Sequence, residues 1–196
     1  MRGIRSSCAF PSRGADAIEQ TTNDSTSWFF IILDVHRAIY CAMIAALKGT
    51  AGIGAFSAKL RAEWLDYFEA SRSDPTLKPP KGDYVLRFCD LLERVERGTA
   101  DMMGPPLQLT PEQRADILKL NEFRGDLEHV KPQSWSLETS GLPRISANAA
   151  EAFSVLLQSF QHHLEVEEIE ELERAISKLR ALKSEYPSSP PSSWLG

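Results

Sequence analysis

The chain has 196 residues, 42% of them hydrophobic and 25% charged, a balance that excludes the disordered, collagen-like and disulfide-rich classes and suffices for one domain with a substantial core. Its 22 Lys and Arg against 27 Asp and Glu give a formal net charge of -5, which excludes a protein that coats nucleic acid through bulk positive charge and leaves room for a local basic site only. Cys8, Cys41 and Cys89 are odd in number, far apart and without C-x-x-C spacing, so neither a disulfide framework nor a zinc knuckle is indicated and a reducing, cytoplasmic setting is expected.

The opening "MRGIRSSCAFPSRGA" is basic but lacks the apolar run of a secretory signal, and residues 1–14 are read as a disordered tail ahead of a single helical domain over 15–186. A first helical region is predicted from Ala15 to Leu47, with a break near Asn23 to Ser27, where small polar residues favour caps over helix interiors. Within it, Trp28 to Gly49 is the most apolar stretch and about long enough to cross a bilayer. Asp34, His36 and Arg37 interrupt that stretch, and charges there are costly in lipid, so a buried core helix with no membrane role is expected. Gly49 and the flexible "GTAGIG" end it.

A second helix is predicted across "AFSAKLRAEWLDYFEAS", where Phe56, Leu60, Trp64, Leu65 and Phe68 recur at three- and four-residue intervals, until Pro75, Pro79 and Pro80 forbid its continuation. Asp83 is the expected N-cap of a third, "DYVLRFCDLLERVERG", which carries Val85, Phe88, Leu91, Leu92 and Val95 on one side and stops at Gly98. The sharpest local signal is "TPEQ", Thr110 to Gln113, with a Thr cap, Pro at the first helical position and Gln at the third. From it a stripe of Ile117, Leu120, Phe123, Leu127 and Val130 runs to a stop near Lys131, before Pro132.

Pro143 opens a last long helical region in which Ile145, Ala149, Phe153, Leu156 and Phe160 form one stripe and Ile169, Leu172, Ile176 and Leu179 another. The two are out of phase, which predicts a bend or break around His162 to Glu168. "EVEEIEELE" reads as a solvated helix face, and residues 187–196, rich in Pro and Ser, as a second disordered tail. No stretch reads as a strand, and the predicted architecture is an all-α, largely up-and-down bundle of four to five main helices with a long C-terminal helical region.

Most motifs for chemistry are missing. "GTAGIGAF" lacks the preceding strand and lysine of a phosphate loop, and His162 with His163 has no third ligand at helical spacing, so neither a cofactor nor a metal site is predicted. What stands out is "FRGDLEHV", Phe123 to Val130. On a helix Arg124 and Glu128 share a side, whereas Arg124 and His129 differ by roughly 140° and meet only through the reach of the long Arg. Asp126 and His129 are neighbours, so Asp126 or Glu128 can orient the imidazole. The plain alternative is an Arg124–Glu128 surface pair contributing a few tenths of a kcal/mol.

An Arg followed within a few residues by a His, on a late turn of a helix in a small all-α bundle, resembles the signature of the HEPN family of prokaryotic toxin and defence systems. Here it reads Arg124-Gly125-Asp126-Leu127-Glu128-His129, and Pro132 to Ile145, with Trp135 and Pro143, resembles the segment after that motif in a group of bacterial HEPN-like proteins. The recognisable part is a small fraction of the chain, the rest agreeing in being helical. The resemblance implies metal-independent cleavage of RNA in a cleft where two copies meet, hence a homodimer, and in some systems an antitoxin protein as partner. It implies Arg124 as phosphate clamp and His129 as acid or base, with Asp126 the adjacent polar group. Family members often carry Asn directly after the Arg, and this chain carries Gly125 there.

Two other readings stand beside this one. Some members of the family are non-catalytic assembly modules, a role that suits the acidic balance. A small-molecule pocket around Trp28, His36 and Trp64 is the third, although such residues more often form core.

Overall fold

The computed structural model describes residues 27–100, 102–128 and 141–185. The tails predicted at 1–14 and 187–196, the helical region ahead of Ser27 and the helix stop near Lys131 lie outside these residues. The described residues form six α helices and one 3-10 turn, all-α as the periodicities predicted.

At the centre is α1, Ser27–Leu47. Its Ile31, Ile32, Val35, Ile39, Ala42, Met43, Ala46 and Leu47 are all buried, each large side chain contributing about 1.5–3 kcal/mol by leaving water. Among the described residues it is the one helix long and apolar enough to cross a membrane, and 56% of its most apolar window is inside the fold. Around it pack α3, Phe88–Arg97, α4, Pro111–Glu128, and most extensively α5, Leu142–Leu157.

Helix α2, Ala58–Ala70, forms where predicted, capped by Ser57, whose Oγ accepts from the Leu60 amide at 3.3 Å. Its stripe does not enter the core, since none of its residues is buried and Leu65 is 47% exposed. The third predicted helix starts later than expected. Asp83 is not its N-cap; Arg87, in extended conformation, precedes Phe88, because Val85 is held by an antiparallel bridge to Phe56 and the Leu86 amide donates to the Ala55 carbonyl at 2.9 Å. Arg94 locks this pairing, its Nη1 donating to the Gly54 and Phe56 carbonyls, each at 2.8 Å. Gly54 is required here, as a Cβ would stand 1.7 Å from the Leu47 carbonyl oxygen.

The capping box at Thr110 is present in both directions. The Gln113 amide donates to Thr110 Oγ1 at 3.2 Å, and the Thr110 amide to Gln113 Oε1 at 2.9 Å. After α5 the chain turns through a 3-10 turn at Gln161–His163 and resumes as α6, Val166–Glu185, which is the break the two stripes predicted. Lys183 of α6 reaches Asn148 of α5, while Arg180 reaches the later Ser154, so these two helices run antiparallel.

Candidate functional site

The capping box fixes the start of α4, and the helical repeat then sets which way its later residues face. Ile117, Leu120 and Leu127 are buried against the core, and Arg124 falls on that same stripe, half-buried. An Arg on a core-facing stripe lays at least part of its stem against the fold. Asn121, one turn earlier on this side, is also half-buried, whereas Asp126 is exposed. Gly125 has open space around it, with nothing within 4 Å of an added Cβ. His129 and the Glu128 side chain lie outside the described residues, and with them the predicted Arg124–His129, Arg124–Glu128 and Asp126–His129 pairings.

Opposite α4, α1 presents His36 and Tyr40, one helical turn apart. The His36 ring is buried, 8% exposed, and its Nε2 lies 3.0 Å from Asn121 Oδ1, the geometry of an Nε2–H donating to the amide carbonyl. Phe88, the first residue of α3, stacks on the His36 ring with centroids 4.7 Å apart and planes 20° from parallel. Tyr40 stacks on the other members of this group, 6.3 Å from His36 and 6.2 Å from Phe88, and donates its hydroxyl to the Leu86 carbonyl at 3.2 Å. Burial pushes the Tyr40 hydroxyl above its ordinary pKa and Cys41 adds to the rise, while the positive charge of Arg124 opposes it. Arg124 therefore lies within electrostatic reach of Tyr40.

The corner so formed holds a cation, an amide anchored by an imidazole and a ring stack. The imidazole, the amide and the rings are packed together here, with the Arg124 charge in electrostatic reach. Sequence reasoning singled out Arg124 and Asp126, and His36 only as part of a pocket with Trp28 and Trp64. Trp28 is core at 4% exposure, and Trp64 packs against Tyr67 and Phe68 of its own helix. Asn121 was missed, because its partner is 85 positions away and a lone Asn in a helix carries no local signal.

A second polar cluster ties α4, α5 and α6. Asp116 is 3% exposed and accepts from Arg144 Nη2 at 2.9 Å and from Asn148 Nδ2 at 2.6 Å; Asn148 Oδ1 in turn accepts from Lys183 Nζ at 3.0 Å. Desolvation raises the Asp116 carboxyl above its ordinary pKa, and the Asn148 amide and Arg144 guanidinium oppose the rise. Nearby, Gln113 donates to Glu151 at 2.7 Å and Arg180 to Ser154 at 2.8 Å across a groove of about 320 Å³. Apart from the buried Arg144 Nε, which has no partner among the described residues, these donors and acceptors answer one another, which is the pattern of a helix-joining network. Among the described residues no group of three His, Cys, Asp or Glu could hold a metal ion, and His162 and His163 are exposed on the 3-10 turn.

The chain matches no family model, no curated protein and no solved structure.

Proposed function

We propose that this chain is a HEPN-like endoribonuclease of a toxin or defence system, working as a homodimer, with Arg124 as the clamp on the scissile phosphodiester and His129 as the group that moves the proton. One observation supports the reading: Arg124 is half-buried on the core-facing stripe of α4, on the same side as Asn121 and within electrostatic reach of Tyr40. A guanidinium can clamp phosphate through its forked donors and stabilise charge as it develops on the phosphoryl oxygens. His129, five residues on, takes the 2′-hydroxyl proton or delivers one to the leaving oxygen, and Asp126 orients its ring.

The experiment compares purified wild-type protein with an Arg124→Ala, His129→Ala double variant on a panel of RNAs in EDTA. Cleavage by the wild type and its loss in the variant are expected. Equal cleavage by both, or none by either, rejects the reading. A second reading, a non-catalytic assembly module of the same kind, is favoured by one feature: Gly125 supplies no side chain, and the exposed Asp126 carboxylate next to it repels an RNA backbone. It predicts self-association that survives the double variant, without cleavage.

A further inference from the structure

Asn121 is the unexplained member of the Arg124 corner. An amide side chain is planar, so fixing its oxygen fixes the direction of its NH2 group. The oxygen is held by His36 Nε2 at 3.0 Å, and the His36 ring is itself buried, stacked on Phe88 at 4.7 Å with Tyr40 beside both at 6.3 Å and 6.2 Å. The Asn121 Nδ2 hydrogens therefore point away from the imidazole, from a residue that is only half-buried. Residues three apart on a helix are neighbours, with Cβ atoms about 5–6 Å apart, so the amide and the Arg124 guanidinium share a side of α4. A forked cationic donor beside a fixed neutral one matches the two non-bridging oxygens of a phosphodiester.

We infer that Asn121 is a second phosphate-binding residue of the Arg124 site, and that His36 is its positioning residue, holding the amide oxygen so that the NH2 faces the phosphodiester. The inference rests on the reading of Arg124 as a phosphate clamp. His36 itself touches no substrate: its ring is buried and its Nε2–H is engaged by Asn121.

The test measures affinity of the full chain for a short 2′-O-methyl RNA, which binds but is not cut through its 2′ oxygen, alongside melting temperatures. Asn121→Ala is expected to weaken binding about tenfold, the loss of one hydrogen bond to a charged group. His36→Leu should weaken it to the same extent, and His36→Gln, whose Nε2 reaches the same place, should retain it. The double variant His36→Leu, Asn121→Ala should bind no worse than Asn121→Ala alone, because the imidazole acts through the amide. A purely structural histidine would not show rescue by Gln together with that non-additivity. If His36→Leu does not fold, the His36→Gln and Asn121→Ala pair decides.

Normal affinity in Asn121→Ala with loss in Arg124→Ala overturns this inference and leaves the clamp standing. Normal affinity in Arg124→Ala removes the clamp and the inference with it. Inorganic phosphate in large excess, used as competitor, separates the two sources of the anion. Failure to displace the oligonucleotide supports the RNA strand as ligand, and ready displacement assigns the seat to free phosphate and overturns that part.

Discussion

Asp116 has almost no exposed surface, and the charge of its carboxylate is carried by Arg144 and the Asn148 amide. Because burial raises its folded pKa above the unfolded value of about 3.9, the native state binds more protons between the two. The contribution of this group to stability is thus fully present below the unfolded value and is lost as pH rises through the folded one. Replacing it by Asn removes the titration. The stability of the wild type minus that of Asp116→Asn should accordingly fall as pH rises through the acidic range and then level off, read from urea denaturation at a series of pH values. Gly125 allows an opposite kind of test. An added Cβ meets nothing within 4 Å and the backbone is not in the left-handed region, so Gly125→Ala should stabilise α4 by about 0.5–1 kcal/mol, measured as a raised melting temperature. In the clamp reading this variant leaves RNA cleavage in place, since Gly125 contributes no side chain to lose.

At the scale of the helix, the position of Arg124 depends on where α4 begins, and that is set locally. Thr110→Ala removes the acceptor of the Gln113 amide and should cost about 1 kcal/mol by chemical denaturation. It should also speed hydrogen exchange in the first turn before it affects the turn that carries Asn121 and Arg124. This element was readable in the sequence because a Thr-Pro-x-Gln cap and a three- and four-residue apolar repeat are codes contained within one helix. The two-stripe break before α6 was readable for the same reason. The start of α3 was not, because Asp83 is as good a cap on paper as Ser57; it lost to the Phe56–Val85 bridge and the Arg94 clamp, which join segments distant in sequence. The periphery of α2 escaped for a related reason: Leu60, Trp64 and Phe68 show a helical repeat, but a repeat says which residues share a face and not how deeply that face is covered. The candidate site divides in the same way. Arg124 and Asp126 stand out as a local motif whose role is the proposal, while the Asn121–His36 pair and the Asp116, Asn148 and Lys183 links cross 85, 32 and 35 positions and leave no pattern in either segment.

For the molecule as a whole, charge constrains how RNA could be held in the clamp reading. A chain of net charge -5, doubled in the proposed dimer, would repel a polyanion at long range, so affinity would have to come from a few short-range contacts at one place. The basic side chains near the capping half of α4 are already committed: Arg114 to Glu96 at 3.1 Å, Arg144 to Glu112 and Asp116, both at 2.9 Å, and Lys119 to Glu122 at 2.9 Å. The proposed cleft shared by two copies would bring the two Arg124 side chains to phosphate. Each neutralised phosphate of a single strand contributes about -0.7 to the slope of log affinity against log salt, so the slope should lie near about -1.4. Binding of the uncleavable RNA across a series of salt concentrations measures it directly. A slope several times steeper would mean an extended cationic track, which two arginines cannot supply, and would move the RNA surface away from Arg124 altogether. A shallow slope that flattens to zero in Arg124→Ala is the outcome that a compact, two-arginine cleft requires.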